Sequence, residues 1–335
     1  MKNFLRIACL AGMTLLPLDA KTLDIHFVDV EGGQATLIVT PRGESLLVDA
    51  GWPGFDGRDA KRIVEAAKKA GLKRIDYLAI THYHRDHVGG VEQLAAMFPV
   101  GTFVDHGPNT ETGAAADELA ASYNRAVAKG KHLVVKPGDR IPLKGAEVRV
   151  VVARGEQIAS PLKGAGAPNP ACAQAERKAA DPTENARSLG FVLEYGKFRF
   201  LDLGDLTWNK EIDLVCPENR IGKIDVYLTT HHGMDASGPA GIVHALAPRV
   251  AIMNNGSKKG GAAPAWSVIR QSPGLEDLWQ VHFAVAGGKE SNVAEDMIAN
   301  LDESTGFGLT VSAESNGSFK VTNSRNGKSK AYAAR

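Results

Sequence analysis

Apolar and polar positions alternate from Leu23 to Phe27, and apolar runs follow at Ala35 to Thr40 and Ser45 to Val48, so strands are predicted at Leu23 to Val30, Ala35 to Thr40 and Ser45 to Val48. A different rhythm follows from Asp59 to Ala70, where Ile63, Val64, Ala67 and Ala70 share one face of a predicted helix. The run Ile75 to Ile80 reads as a buried strand. It leads through Gly89-Gly90 into Val91 to Phe98, whose apolar positions fit another helix. Beyond it the pattern predicts a helix near Ala114 to Lys129 and strands at His132 to Val135 and Glu147 to Val152.

Residues 156–187 carry little periodicity. A connection that long without its own elements is expected to be functional, here a loop lining the substrate. Strand signals then resume at Leu189 to Tyr195, Lys197 to Leu203, Val226 to Thr230 and Arg249 to Met253, so the chain reads as two similar halves. Asn316-Gly317, between Leu309-Thr310-Val311 and Phe319-Lys320-Val321, predicts a C-terminal β-hairpin.

Composition narrows the reading. With 335 residues, 44% of them hydrophobic, the chain can bury a large core, and 36 glycines suit tight turns. Lysine and arginine number 39 against 38 acidic residues, which gives no overall footprint for a nucleic-acid polymer. Lys258-Lys259 is a local basic candidate. Lys2 and Arg6 precede the apolar stretch Ile7 to Leu18, and Ala20 offers a small residue before Lys21, so residues 1–20 read as a secretory signal. A membrane anchor is the competing reading, but the stretch falls short of the ~20 residues a bilayer crossing needs. The expected mature chain is one domain, residues 21–335, periplasmic or secreted and without a transmembrane segment. Loss of the signal removes Cys9 and leaves Cys172 and Cys216, an even pair in an oxidising compartment. A disulfide and two separately buried thiols both remain open, because geometry decides bridging.

Chemistry concentrates in Thr81-His82-Tyr83-His84-Arg85-Asp86-His87, three imidazoles and a carboxylate within six residues directly after a strand. Such ligands suit Zn²⁺, with Mn²⁺ or Fe as alternatives. A lone histidine here would be a solvated loop residue; four ligands in one strand-to-helix turn make a metal site. The spacing suggests two ions, one held by His82 and His84, the other by Asp86 and His87.

At these residues the chain resembles the metallo-β-lactamase superfamily, whose defining motif reads His-x-His-x-Asp-His. Leu46-Leu47-Val48-Asp49-Ala50-Gly51 resembles its first motif, which implies that Asp49 supports the metal loop from behind the ligands. Phe200 to Asp205 resembles the strand that delivers a bridging carboxylate, here Asp205, and Asp225 to Gly233 the strand ending in the last histidine ligand, here His231. The His231-His232-Gly233 pair and Phe27-Val28-Asp29-Val30 are similar to the competence-protein (ComEC/Rec2-like) branch, which implies phosphodiester chemistry. The fold implied is an αβ/βα sandwich of two mixed sheets with helices outside.

The chain departs from the family in two places. Thr183 to Leu189 carries Asn185 and Ser188 where superfamily members usually hold another histidine, which leaves the first ion short of a ligand. His106, after a short strand, either fills that gap or is a loop residue; Asn185 is expected to act only by hydrogen bonding behind the ligands. Glu31-Gly32-Gly33-Gln34-Ala35 also replaces the branch's Gly-Gln-Gly-Asp turn. The expected function is an exported hydrolase using a metal-bridging hydroxide, with Asp86 and His232 as catalytic groups and a phosphodiester or phosphate ester as substrate. A β-lactam or lactone hydrolase, or an idle metal-bound module that binds envelope polymers, are the alternatives.

Overall fold

The computed structural model describes residues 22–335; the predicted signal, residues 1–20, lies outside the described residues. The first half runs β1 (Leu23–Phe27), β2 (Thr36–Val39), β3 (Ser45–Val48), α1 (Arg58–Lys69), β4 (Ile75–Ala79), α2 (Arg85–Val88), α3 (Val91–Met97), β5 (Val100–Asp105), α4 (Ala114–Val127) and β6 (Lys131–Val134). The second runs β7 (Arg140–Ile141), β8 (Glu147–Ala153), β9 (Glu156–Gln157), β10 (Ala167–Pro168), β11 (Gly190–Tyr195), β12 (Phe198–Asp202), α5 (Trp208–Val215), β13 (Glu218–Asn219), β14 (Val226–Leu228), α6 (Ala240–Leu246), β15 (Val250–Met253), α7 (Ala263–Arg270), β16 (Asp277–His282) and β17 (Ile298–Asn300). A meander of β18 (Leu309–Ala313), β19 (Phe319–Asn323) and β20 (Ser329–Tyr332) returns to the first sheet.

Two nine-stranded mixed sheets result. One has the order β20-β19-β18-β1-β2-β3-β4-β5-β6; the other is built on β17-β16-β15-β14-β12-β11-β8-β7, with β9 paired to β8. The period of two assigns each side chain to a face. Ile25, Ile38, Leu46 and Val48 of the first sheet meet Val150, Phe191, Phe200 and Val226 of the second in a shared core. The intervening Leu37 and Leu47 point the other way, onto Ile63, Val64 and Ala67 of α1. Leu201, Tyr227 and Ala251 likewise face Ile242, Val243 and Leu246 of α6. Each large aliphatic side chain so buried contributes roughly 1.5–3 kcal/mol. The layers are therefore helix, sheet, sheet, helix, as the resemblance implies.

The expected hairpin is present as β18 and β19, paired antiparallel from Leu309 opposite Asn323 to Ala313 opposite Phe319. It is extended by β20 and joined to β1. Residues 156–187 hold only short pairings and two 3₁₀ turns, and a disulfide joins Cys172 to Cys216, with Cα atoms 5.6 Å apart. Among the described residues no helix is long and apolar enough to cross a membrane.

Candidate metal centre

The loops at the carboxyl ends of β3, β4, β12 and β14 converge. There β3 delivers Asp49, β4 opens into the His82 to His87 loop, β12 into Gly204-Asp205, and β14 into the turn of His231 and His232. Three of these residues, Asp49, His231 and His232, have left-handed backbone, with φ of 60°, 56° and 56°. Side chains other than glycine rarely adopt it, and the surrounding structure must hold them there.

Asp86, His87, Asp205 and His232 offer four ligand atoms in one buried cluster. His87 Nε2 lies 3.2 Å from His232 Nε2, from Asp86 Oδ2 and from Asp205 Oδ2. His232 Nε2 lies 3.4 Å from Asp86 Oδ2 and 3.2 Å from Asp205 Oδ1. Atoms placed tetrahedrally about a Zn²⁺ at its usual ligand distances are separated by about 3.3–3.6 Å. The cluster fits that spacing, and its two closely packed carboxylates call for a cation or a proton between them.

Hydrogen bonds behind the ligands set the tautomers. Thr81 donates its hydroxyl proton to Asp49 Oδ2 at 2.7 Å, and the same carboxylate accepts from His87 Nδ1 at 2.7 Å. His87 Nε2 is thereby the nitrogen turned to the cluster, and becomes a ligand when a metal displaces its proton. With its proton committed, Thr81 Oγ1 can only accept from His82 Nδ1, 3.1 Å away. This leaves His82 Nε2 bare, buried and without a partner. In the same way Ser237 donates to the carbonyl of Leu206 and accepts from His231 Nδ1 at 3.2 Å, which frees His231 Nε2. His84 Nε2 faces Glu111 Oε1 at 3.2 Å, which frees its Nδ1.

Sequence reasoning and geometry part over the paired histidines. His232, expected to act as a proton donor, sits in the four-atom cluster, where His231 was expected. His231 Nε2 instead approaches Asp205 Oδ2 at 3.4 Å, on the side from which His82 Nε2 faces the same oxygen at 4.0 Å. Two consecutive left-handed residues turn the chain so that neighbouring rings reach different oxygens of Asp205, His231 facing Oδ2 and His232 facing Oδ1. His106 does not join either group. Its Nε2 is taken by Glu184 Oε2 at 3.1 Å and its ring packs edge-on against Tyr83. Asn185 Oδ1 is buried without a hydrogen-bond partner.

Charge follows the same division. Burial would depress His87, but Asp205, Asp86 and Asp49 outweigh it and raise its pKa well above the ordinary value. Burial pushes His82 well down, aided by neighbouring His87. Burial opposes ionisation of Asp205 too, yet His232, His87 and His231 hold its carboxyl well below the usual range. Asp202, missed in the sequence, is buried behind this group, with Gln34 Nε2 donating to it at 2.9 Å. Burial, with Asp49 nearby, pushes it up to about 7.

Glu184 was also missed, because a glutamate in an aperiodic loop carries no signal of its own. It accepts from the backbone N–H and hydroxyl of Thr110, and its own N–H donates to Glu111, the partner of His84. Residues 156–187 thus reach the site through Glu111. A second acidic set, Asp29, Glu31 and His282, is built as a brace. Arg62 Nη1 lies 2.6 Å from Asp29 and 3.2 Å from Glu31, and His282 closes on Asp29 at 2.7 Å.

Residues 28–167 match the family model described as Metallo-beta-lactamase superfamily. The chain is 24% identical over 262 residues to ComE operon protein 3 of Bacillus subtilis (strain 168), covering 74% of this chain and 30% of that protein. It is 34% identical over 114 residues to hydroxyacylglutathione hydrolase of Acidiphilium cryptum (strain JF-5), covering 34% of this chain and 40% of that protein. The chain therefore spans well under half the length of either curated relative. Among solved structures, the metallo-beta-lactamase fold protein YhfI from Bacillus subtilis aligns with a TM-score of 0.48 at 10% identity, covering 78% of this chain and 96% of that one.

Proposed function

We propose that this chain, whose residues 28–167 are of the metallo-β-lactamase superfamily, is a binuclear metal-dependent hydrolase that cleaves a phosphodiester or phosphate ester. The observation that carries the reading is Asp205. Its Oδ1 lies 3.2 Å from His232, and its Oδ2 lies 3.2 Å from His87, 3.4 Å from His231 and 4.0 Å from His82. One carboxylate thus reaches histidines of both sets, with Oδ2 the oxygen they share. Asp86, His87 and His232 would hold one ion; His82, His84 and His231 would hold the other; Zn²⁺ suits both sets, with Mn²⁺ or Fe as alternatives.

Bound there, the ions supply Lewis acidity at the scissile centre and a water of lowered pKa, so no protein nucleophile is required. The chain's own residues fix the ligands. Asp49 orients His87, Thr81 orients His82, Ser237 orients His231, and Glu111 orients His84. His232 serves as a ligand in this reading, and its neighbour His231 takes the place of the histidine missing near Asn185.

Phosphorus chemistry is supported by the competence-protein-like motifs and by Lys259, whose ammonium group reaches Asp86. The Cys172–Cys216 bridge supports an oxidising, periplasmic or secreted setting. Similarity to a hydroxyacylglutathione hydrolase favours a second reading, a thioester substrate. The test is metal analysis of purified protein followed by hydrolysis assays on bis-p-nitrophenyl phosphate, p-nitrophenyl phosphate, nitrocefin, a simple lactone and S-lactoylglutathione. Turnover of the phosphate esters is the expected result. Turnover of nitrocefin, lactone or thioester alone would overturn the substrate assignment.

A further inference from the structure

The adjacent lysines 258 and 259 do different things. Lys258 points outward, its side chain 77% exposed, and pairs with Glu303 at 2.8 Å. Lys259 turns inward, 27% exposed, passes the Trp52 ring with Nζ 5.3 Å from its centroid, and ends on Asp86 Oδ2. That oxygen is the one facing His87 and His232 in the four-atom cluster.

The backbone holds Lys259 in place. Gly256 N–H donates to the Lys259 carbonyl at 2.8 Å, and Gly261 and Ala262 donate to the carbonyls of His232 and Gly233 at 3.0 and 2.8 Å. Two glycines permit this closeness. A Cβ on Gly260 would stand 2.2 Å from the His232 carbonyl oxygen, and one on Gly256 would stand 2.6 Å from the Glu31 carbonyl carbon. The loop is therefore clasped between the Glu31 turn and the ligand turn, which ties the position of Lys259 to that of His232.

We propose that Lys259 receives the negative charge of the substrate, and hence that the chain selects esters with an anionic oxygen beside the scissile bond over neutral esters and lactones. This inference rests on the hydrolase reading. An ammonium group has three donors, and Asp86 occupies one. When the Asp86 charge is shared with a bound dication, its hold on Lys259 weakens and the remaining donors serve an incoming anion. A neutral substrate would cover the ammonium and leave it unpaired, whereas an anionic oxygen pairs with it. A hydrogen bond to a charged group is worth about tenfold to a hundredfold in affinity.

The experiment uses metal-loaded wild-type protein, Lys259→Met and Lys259→Arg. Inorganic phosphate binding is measured by calorimetry, and kcat/KM is measured on anionic bis-p-nitrophenyl phosphate and neutral p-nitrophenyl acetate, with metal content and melting recorded for each protein. Lys259→Met is expected to weaken phosphate binding and lower the anionic-to-neutral selectivity by about tenfold to a hundredfold at unchanged metal content, with Lys259→Arg retaining most of both. Equal losses on both esters, or unchanged phosphate affinity, would overturn the proposal; unchanged phosphate affinity with reduced metal content would make Lys259 a brace for Asp86. Wild-type protein that cleaves neither ester would defeat the phosphate-ester reading, while the phosphate titration would still decide the role of Lys259.

Discussion

On one side of Asp205 the donor atoms of Asp86, His87 and His232 stand 3.2–3.4 Å apart, close to the edges of a Zn²⁺ tetrahedron. On the other, His231 and His82 stand 3.4 and 4.0 Å from Asp205 Oδ2, and His84 turns its Nε2 to Glu111, outside the cluster. The first half is closed and braced by the buried Asp49; the second is looser, and its third histidine comes from the same turn as the last ligand of the first. Pre-arranged donors lose less freedom on binding. The closed half should therefore load first and more tightly, and the looser half should set the metal concentration at which the proposed hydrolysis begins.

The most drastic way to break this comparison is to remove what the halves share. Asp205→Ala should deplete both ions and lower hydrolysis by about a thousandfold or more, in line with loss of metal chemistry as a whole. Full metal content and activity in that variant would refute the bridging role. Asp49→Asn acts on the closed half directly, through His87, and on the looser half only indirectly, through Thr81 and His82. It exchanges the carboxylate acceptor of His87 Nδ1 for an amide, and the affinity for the tighter ion, measured by competition with a chelating dye, should fall by about 10–100-fold. An equal fall for both ions would show that the halves are not separate.

A third variant sharpens the boundary of the looser half. His106→Ala should leave metal content unchanged but lower stability in chemical denaturation by about 1–3 kcal/mol, because Glu184 is left buried without its imidazole. Burial would raise Glu184, but the His106 and Thr110 hydrogen bonds hold it down to about 2. Loss of one ion in His106→Ala would restore it as a ligand.

The smallest effect concerns the acid behind the closed half. Asp202 is raised from 3.8 to about 7 in the folded chain, so between pH 4 and 7 the native state holds a proton that the unfolded chain releases. Its contribution therefore favours folding at low pH and is lost as pH rises through that window. Asp202→Asn should remove this dependence. In metal-free protein, the melting temperature of the variant relative to wild type should climb by a few degrees between pH 4.5 and 7.5. A constant difference across that range would contradict the raised pKa.

Much of this centre was legible before any coordinates. His82, His84, Asp86 and His87 lie in one short segment after a strand, where local pattern singled them out, whereas Asp49 and Asp205 were implied by the family resemblance; the structure brings Asp86, His87 and Asp205 into one cluster with Asp49 behind it. The order of His231 and His232 was not legible. Strand parity does not extend into a turn where both residues are left-handed, so spacing along the chain no longer tells which side a ring will face. His106 stayed open between ligand and loop residue for a related reason. Its partner Glu184 is distant in sequence, and only the fold brings the two together.

The same limit applied to the fold. Alternation marked β1 and apolar runs marked the buried β2 and β3, but β16 carries buried Gln280 and His282 beside Leu278 and Trp279, which blurs its pattern. The edge strand β20 is mostly exposed, with Lys330 and Ser329 giving it little apolar signal. The helices α5 and α6, of eight and seven residues, are too short for a clear helical repeat.

The measurement that tests the two-sided centre most directly is a metal titration of wild-type protein, His232→Ala and His231→Ala, with bound Zn²⁺ counted per chain and each affinity resolved. The account predicts two ions of unequal affinity in the wild type, loss of the tighter one in His232→Ala, and loss of the weaker one with the tighter retained in His231→Ala. The reverse pattern, or two equal ions unaffected by His231→Ala, would contradict it.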